Sequence, residues 1–223
     1  GIHGAVSRGG RVIVVGLTGN LASGKSEAAK YFKRRGARVV DADETARKLT
    51  LKGKPLFKAI VKIFGKEFIG KNGQIDRRKL ARHVFSRPKD LKKLNVLVHP
   101  GVILETYKEI GKARSKKGLL ILDVPLLFES RMEKMADFTV VVKASESSMI
   151  SRASRRNIPS DLARRILAAQ WPMMKKAHLA DFVIDNNGTH EDLERQVDLV
   201  IEKILKRQKD RESLYASGGI HTV

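Results

Sequence analysis

Apolar positions along this chain follow two alternating rhythms. Short unbroken apolar runs occur at Val12–Val15, Val39–Val40, Leu119–Leu122, Phe138–Val142 and Phe182–Ile184, and most end at a glycine or an aspartate. Runs of this length, rich in Val, Ile and Leu, predict strands buried on both faces of a parallel sheet. Between them apolar residues recur three and four apart, as in Ala28, Ala29, Tyr31 and Phe32, and again in Leu193, Val197, Val200, Ile201 and Ile204. That spacing predicts amphipathic helices. Gly36 ends the first of these and His190 to Arg207 forms the last. Strands alternating with helices predict an α/β fold, a five-stranded parallel sheet flanked by helices.

One stretch breaks the alternation. From Glu44 to Lys117 there is helical spacing and no convincing strand. Leu56, Ile60, Ile63 and Phe64 make one face, and Leu80, Val84 and Phe85 a second. Leu91, Leu94, Leu97 and Val98 make a third, which the sequence breaks at His99-Pro100. Ile103, Leu104, Tyr107 and Ile110 make a fourth. This is too long for one crossover, so residues 51–117 are expected to be a helical insertion carrying a second binding site. Two polar helices follow the fourth strand, divided at Asn157-Ile158-Pro159, and residues 145–176 are expected to form a flap. The core is then 11–50, 118–144 and 177–207. Residues 1–10 are read as a loose tail or expression remnant and 208–223 as a frayed tail.

The first strand runs into RVIVVGLTGNLASGKS, where Gly19, Gly24, Lys25 and Ser26 fit the pattern G-x-x-x-x-G-K-S/T between a strand and a helix. The spacing suits polyphosphate. Glycines let backbone N–H groups of residues 19–24 (Gly19, Asn20, Leu21, Ala22, Ser23, Gly24) form a concave nest, and the helix start adds its unpaired N–H groups. Lys25 would reach the β and γ phosphates and the Ser26 hydroxyl would hold Mg²⁺. Asp123 closes a buried strand, the usual place for a magnesium–water ligand, so it is expected to meet the metal through water. The motif implies nucleoside triphosphate binding in a P-loop core. It does not say what receives the phosphate.

Asp41 and Asp43 end the second strand, which is expected to neighbour the phosphate loop, at the sheet edge where ligands bind in parallel α/β folds. Asp43 is the candidate general base for an alcohol acceptor, and a helix N-cap is the competing reading. Arg152 and Arg156 lie four apart on one helix face; they suit a flap over the phosphates, or simply a solvated helix. His99 more often packs or caps than acts, and Trp171 reads as structural.

Charge and composition narrow the partners. The chain has 223 residues and a net charge of +21, from 45 Lys+Arg against 24 Asp+Glu. Such a surface attracts anions of many kinds. Aromatic residues are only 5%, too few for a row of base-stacking side chains, so nucleic acid is not expected as a partner. No apolar run is long enough to span a membrane. The chain has no cysteine, which excludes disulfides and fits a reducing, cytoplasmic location. A monomer or weak homo-oligomer is expected.

Taken together, GLTGNLASGKS, VVDADETAR, IDRRKL, LVHP, LDVPLLFE, SRASRRN, RILAAQ and ADFVIDNNG resemble the dephospho-CoA kinases in order and spacing, from about Val12 to Leu205. The resemblance implies an ATP-binding P-loop core, a helical acceptor-binding domain and a mobile lid. The implied reaction moves the γ-phosphate of ATP to the ribose 3′-hydroxyl of dephospho-CoA. It implies Asp43 as base, with Lys25 and Arg152 assisting transfer. Arg152 and Arg156 would meet the ATP phosphates, and Asn186 would lie beside the adenine. Arg77, His99, Pro125, Leu126, Leu127 and Phe128 would line the acceptor side. Asn20 and Ala22 depart from glycines frequent in that loop, and Ala22 makes it less permissive. Another small P-loop kinase, acting on a nucleoside monophosphate or a small alcohol, would use the same residues. More distant is a basic nucleic-acid-binding NTPase, which would bind in a salt-sensitive way.

Overall fold

A computed structural model describes residues 11–216. The calls on residues 1–10 and 217–223 lie outside the described residues. Five strands form one sheet: β1 (Val12–Thr18), β2 (Arg38–Asp41), β3 (Gly118–Asp123), β4 (Phe138–Lys143) and β5 (Phe182–Asp185). Their order is β2-β3-β1-β4-β5 and every pairing is parallel. The apolar runs are therefore the strands, because a parallel sheet is covered on both sides and leaves no polar face.

Side chains alternate across the sheet, and the two covering layers follow from that alternation. Ile13, Val15 and Leu17 share a core with Leu119, Ile121 and Phe32 on one face. That face is covered by α1 (Lys25–Arg34) and α9 (His190–Ala216). Val12 and Val14 share the opposite core with Leu120 and Leu122. There the cover is α2 (Ala42–Leu49) and α5 (Pro88–Ala113). Between α2 and α5 lie α3 (Pro55–Phe64) and α4 (Arg77–Phe85), with a core of their own built from Ile60, Phe64, Phe68, Ile75, Leu80 and Val84. After β4 come α6 (Glu146–Arg155), α7 (Ser160–Ala169) and α8 (Met173–Leu179). Ala153 and Ala163 of α6 and α7 close on Ala22 of the phosphate loop.

Three expectations change. The helix expected to break at His99-Pro100 is one 26-residue helix, α5, with Pro100 inside it. Leu91, Leu94 and Leu97 bind it to the insertion's core, while Val102 and Ile110 bind it to the sheet. Packing on both sides of Pro100 outweighs one lost hydrogen bond, and the proline itself is exposed. The strand β2 does not neighbour β1, because β3 lies between them. The closing helix runs beyond Arg207 to Ala216, so residues 208–216 are helix and not frayed tail.

Phe32 is wholly buried between α1 and the sheet. Phe32→Ala should lower the unfolding free energy by about 3–5 kcal/mol, read from urea midpoints. Leu104→Ala on the 56%-exposed side of α5 should stay within about 0.5 kcal/mol.

Candidate active site

The phosphate loop joins β1 to α1, and contacts fix its shape at two glycines. Gly24 has φ 99°, and a Cβ there would fall 1.8 Å from Asn186 Nδ2. A Cβ on Gly19 would fall 2.6 Å from the Val142 carbonyl oxygen. Neither position has room for a side chain. Ala22, the residue that departs from glycine, takes φ 56°. That conformation costs an L-residue roughly 1–2 kcal/mol, offset here by burial against Ala153 and Ala163.

The Ser23 carbonyl ties the loop to distant parts of the chain. Asn186 Nδ2 donates to it at 2.8 Å, and Arg152 also donates to it, at 3.4 Å. Arg152 donates a second hydrogen bond to the Asn186 carbonyl at 2.9 Å. Asn186, expected beside adenine, thus has its side chain on the loop backbone. Arg152, expected on the phosphates, holds two backbone carbonyls. Arg156, at the end of α6, is exposed and lines the cleft.

Parallel register brings the acids together. Leu17 pairs with Asp123 across β1 and β3, and Asp41 pairs with Asp123 across β2 and β3. The Lys25 ammonium forms an ion pair with the Asp123 carboxylate, which is buried. Asp41 caps α2, accepting from the N–H groups of Asp43 and Glu44 at 2.8 and 3.0 Å. The capping role therefore belongs to Asp41, and Asp43 is left lining the same cleft as Lys25. Desolvation raises the Asp43 pKa above the ordinary carboxylate value; Asp41 adds to the rise, and Lys25, Arg47 and Arg77 oppose it. Burial likewise raises Asp123, opposed by Lys25 and supported by Asp41 and Asp43.

The cleft is about 470 Å³ and continues from the loop under the helical insertion. Ile60, Leu80, Val84, Leu94 and Val98 make its far wall apolar. Arg77, Asn95 and His99 are polar groups set in that wall. Arg77 donates to Thr50 Oγ1 at 2.6 Å. Burial lowers the His99 pKa and so favours the neutral imidazole. Pro125 and Leu126 line the cleft, but Leu127 and Phe128 do not. Both are buried in the body of the protein, Leu127 against Gly16. Only the first pair of the quartet therefore meets the cleft.

Sequence reasoning assigned no role to Gln170 and took Trp171 as merely structural. Gln170 Oε1 accepts from the Leu21 N–H at 2.9 Å, and the Trp171 carbonyl accepts from Asn20 Nδ2 at 3.2 Å. Nothing in local spacing signals these contacts, because the partners are about 150 residues apart.

Comparison with known proteins gives a consistent set of relatives. A family model for dephospho-CoA kinase matches residues 13–192. A dephospho-CoA kinase of Enterococcus faecalis is 38% identical over 191 residues, covering 85% of this chain and 96% of that relative. The crystal structure of TT1252 from Thermus thermophilus superposes with TM-score 0.70 at 32% identity, covering 87% of this chain and 98% of that one. A dephospho-CoA kinase structure from Campylobacter jejuni gives TM-score 0.61 at 25% identity, covering 88% and 99%.

Gly24→Ala tests the loop geometry directly. The added methyl group must displace Asn186 and hold a left-handed backbone. We expect ATP affinity, measured by calorimetry, to fall at least about tenfold, with strain of roughly 1–3 kcal/mol behind it.

Proposed function

The chain belongs to the dephospho-CoA kinase family, and on that premise we propose that its cleft transfers the γ-phosphate of ATP to the ribose 3′-hydroxyl of dephospho-CoA. The products are CoA and ADP, the last step of coenzyme A synthesis. The observation that carries this reading is that Lys25 and Asp43 line one cleft that continues into a walled pocket under the insertion. A phosphate donor and a bulky alcohol acceptor can lie end to end there.

Transfer of a phosphoryl group needs alignment and positive charge more than covalent chemistry. Backbone N–H groups of the loop hold the phosphates, and Lys25 leaves part of its contact with Asp123 to meet them. Arg152 and Arg156 belong to a lid, residues 145–176. Arg152 reaches the phosphates by giving up the Ser23 and Asn186 carbonyls. Asp43 accepts the proton of the 3′-hydroxyl as it attacks. A raised pKa makes it a stronger base than an ordinary aspartate. Arg77, His99, Pro125 and Leu126 face the acceptor, and Asn186 supports the nucleotide side through the loop.

Ser26 and Asp123 are the residues that would hold Mg²⁺, Asp123 through water. The fit is chemical. No group of three or more His, Cys, Asp or Glu among the described residues could hold a metal, so the ion must take most of its ligands from phosphate and water, as magnesium does. Asp123 is a buried carboxylate pushed toward protonation, with Asp41 and Asp43 repelling it; a nearby cation relieves that. Bound there, Mg²⁺ neutralises charge on the β and γ phosphates. No described helix is long and apolar enough to cross a membrane. All the residues named come from one chain, so a monomer suffices, and the lack of cysteine suits the cytoplasm.

The deciding experiment offers ATP with dephospho-CoA, shikimate or a nucleoside monophosphate and weighs the products. A mass gain of one phosphoryl group on dephospho-CoA supports the reading; transfer only to another acceptor removes it. Lys25→Ala should abolish nearly all turnover. Asp43→Asn should keep ATP binding and slow transfer by roughly 10²–10⁴. The pH profile gives an independent check. Asp43 acts only when ionised, so its raised pKa predicts loss of rate as pH falls through a value above the ordinary aspartate value of about 4. That acidic limb should vanish from the residual activity of Asp43→Asn.

A further inference from the structure

Lys176 has no exposed surface, and nothing in the chemistry above uses it. It lies on α8, and its Nζ forms an ion pair with Glu129 at 2.7 Å and donates to the Pro125 carbonyl at 3.2 Å. Both acceptors are shared. Thr18 Oγ1 also donates to the Pro125 carbonyl, at 3.0 Å, and Thr18 is the buried last residue of β1, one before the phosphate loop. The Glu129 oxygen that meets Lys176 also accepts from the Trp171 N–H at 2.9 Å. Trp171 and Gln170 then return to the loop at Asn20 and Leu21. The contacts close a circuit: loop root, Pro125, Lys176, Glu129, Trp171, loop.

Stability alone is a poor reason for this pair. Removing an ammonium and a carboxylate from water costs several kcal/mol each, and well-packed apolar residues are often as stable. Burial pushes the Lys176 pKa down, while the Glu129 hydrogen bond and charge pull it back; Lys25 adds to the fall, so the pair is within electrostatic reach of the phosphate loop. The pair contributes direction, which an apolar pair cannot. One ammonium fixes the places of two oxygens on a segment whose next residues, Leu126 and Ser130, line the cleft.

We infer that Lys176 and Glu129 are positioning residues: together they set residues 124–130, the near wall of the acceptor pocket, against the phosphate loop and tie both to the chain entering α8. The kinetic part of this inference rests on the proposed acceptor reading; the geometric part does not. In the mechanism, the acceptor wall and the phosphate loop then move as one body, with the α7–α8 junction attached to both.

The test is the double variant Lys176→Met/Glu129→Gln, which removes both charges together and keeps an oxygen for the Trp171 N–H. Single variants leave a buried charge unpaired and risk unfolding. We expect the double variant to fold and its KM for dephospho-CoA to rise roughly tenfold to a hundredfold, as misplacement of a wall implies. Its KM for ATP should stay within about twofold, since the loop keeps its own glycines and Lys25. Deuterium uptake should quicken over residues 124–130 and stay unchanged over 12–18. Unchanged uptake over 124–130 overturns the inference whatever KM does, and so does a uniform rise in uptake and in both KM values, which marks a purely structural pair. If the wild-type protein fails to phosphorylate dephospho-CoA, the proposed function falls, while the uptake experiment still decides the positioning role.

Discussion

One ammonium makes the site electrostatically possible. The parallel register of β1, β2 and β3 delivers Asp41 and Asp123 to one end of the sheet, and α2 starts with Asp43 beside them. Lys25 is the counter-charge that lowers the pKa of both Asp43 and Asp123 against the cost of burial. A triphosphate bound as proposed would compete with Asp123 for Lys25 and approach three carboxylates. In the proposed reaction, loop N–H groups would supply part of the compensation, and a divalent cation held near Asp123 would supply the rest. Arg152 rests on two neutral carbonyls and makes no ion pair with them.

The shape of the loop is imposed from outside it. Ser23 and Gly24 are held by Asn186 at the end of β5, Leu21 by Gln170 before α8, and Asn20 by the Trp171 backbone. These anchors come from the α7–α8 junction and from the end of β5, on either side of α8. A movement of either therefore cannot leave the phosphate loop indifferent, and an anion pulling the loop into its bound shape pulls on the same bonds.

The strands, most helices and the phosphate motif were legible because each is a local pattern with a physical cause. Val12 to Val15 reads as buried on both faces, and it is, in a strand that continues to Thr18. What spacing could not supply was direction. Asp41 and Asp43 are equivalent as capping candidates until hydrogen bonds assign the cap to Asp41. Pro125 to Phe128 is one apolar string, yet only its first half meets the cleft. Pro100 is a helix breaker by rule, and only the two cores on either side of it explain why α5 continues. The order β2-β3-β1 is invisible in a list of strands, so Asp43 reaches the site by way of α2 and not by adjacency of β2 to the loop. Lys176 sits next to Lys175 in a basic helix, and nothing local sets it apart; its total burial is a property of tertiary packing alone.

Desolvation raises the pKa of Asp43, although part of its surface stays open to solvent. A carboxylate in open water is well populated as the anion at neutral pH but is a weak base; one walled off from water binds a proton more strongly. The gain is limited, because too high a pKa would leave the group protonated when the acceptor arrives. Lys25, Arg47 and Arg77 set that limit by holding the rise in check. Water, far more abundant than any alcohol substrate, would be the competing acceptor at such a site. A pocket whose distant wall is Ile60, Leu80, Val84, Leu94 and Val98 offers it few hydrogen bonds, whereas an acceptor that fills the pocket displaces it. On the proposed reading, the apolar wall of the helical insertion would disfavour water as the nucleophile and favour an acceptor that fills the pocket.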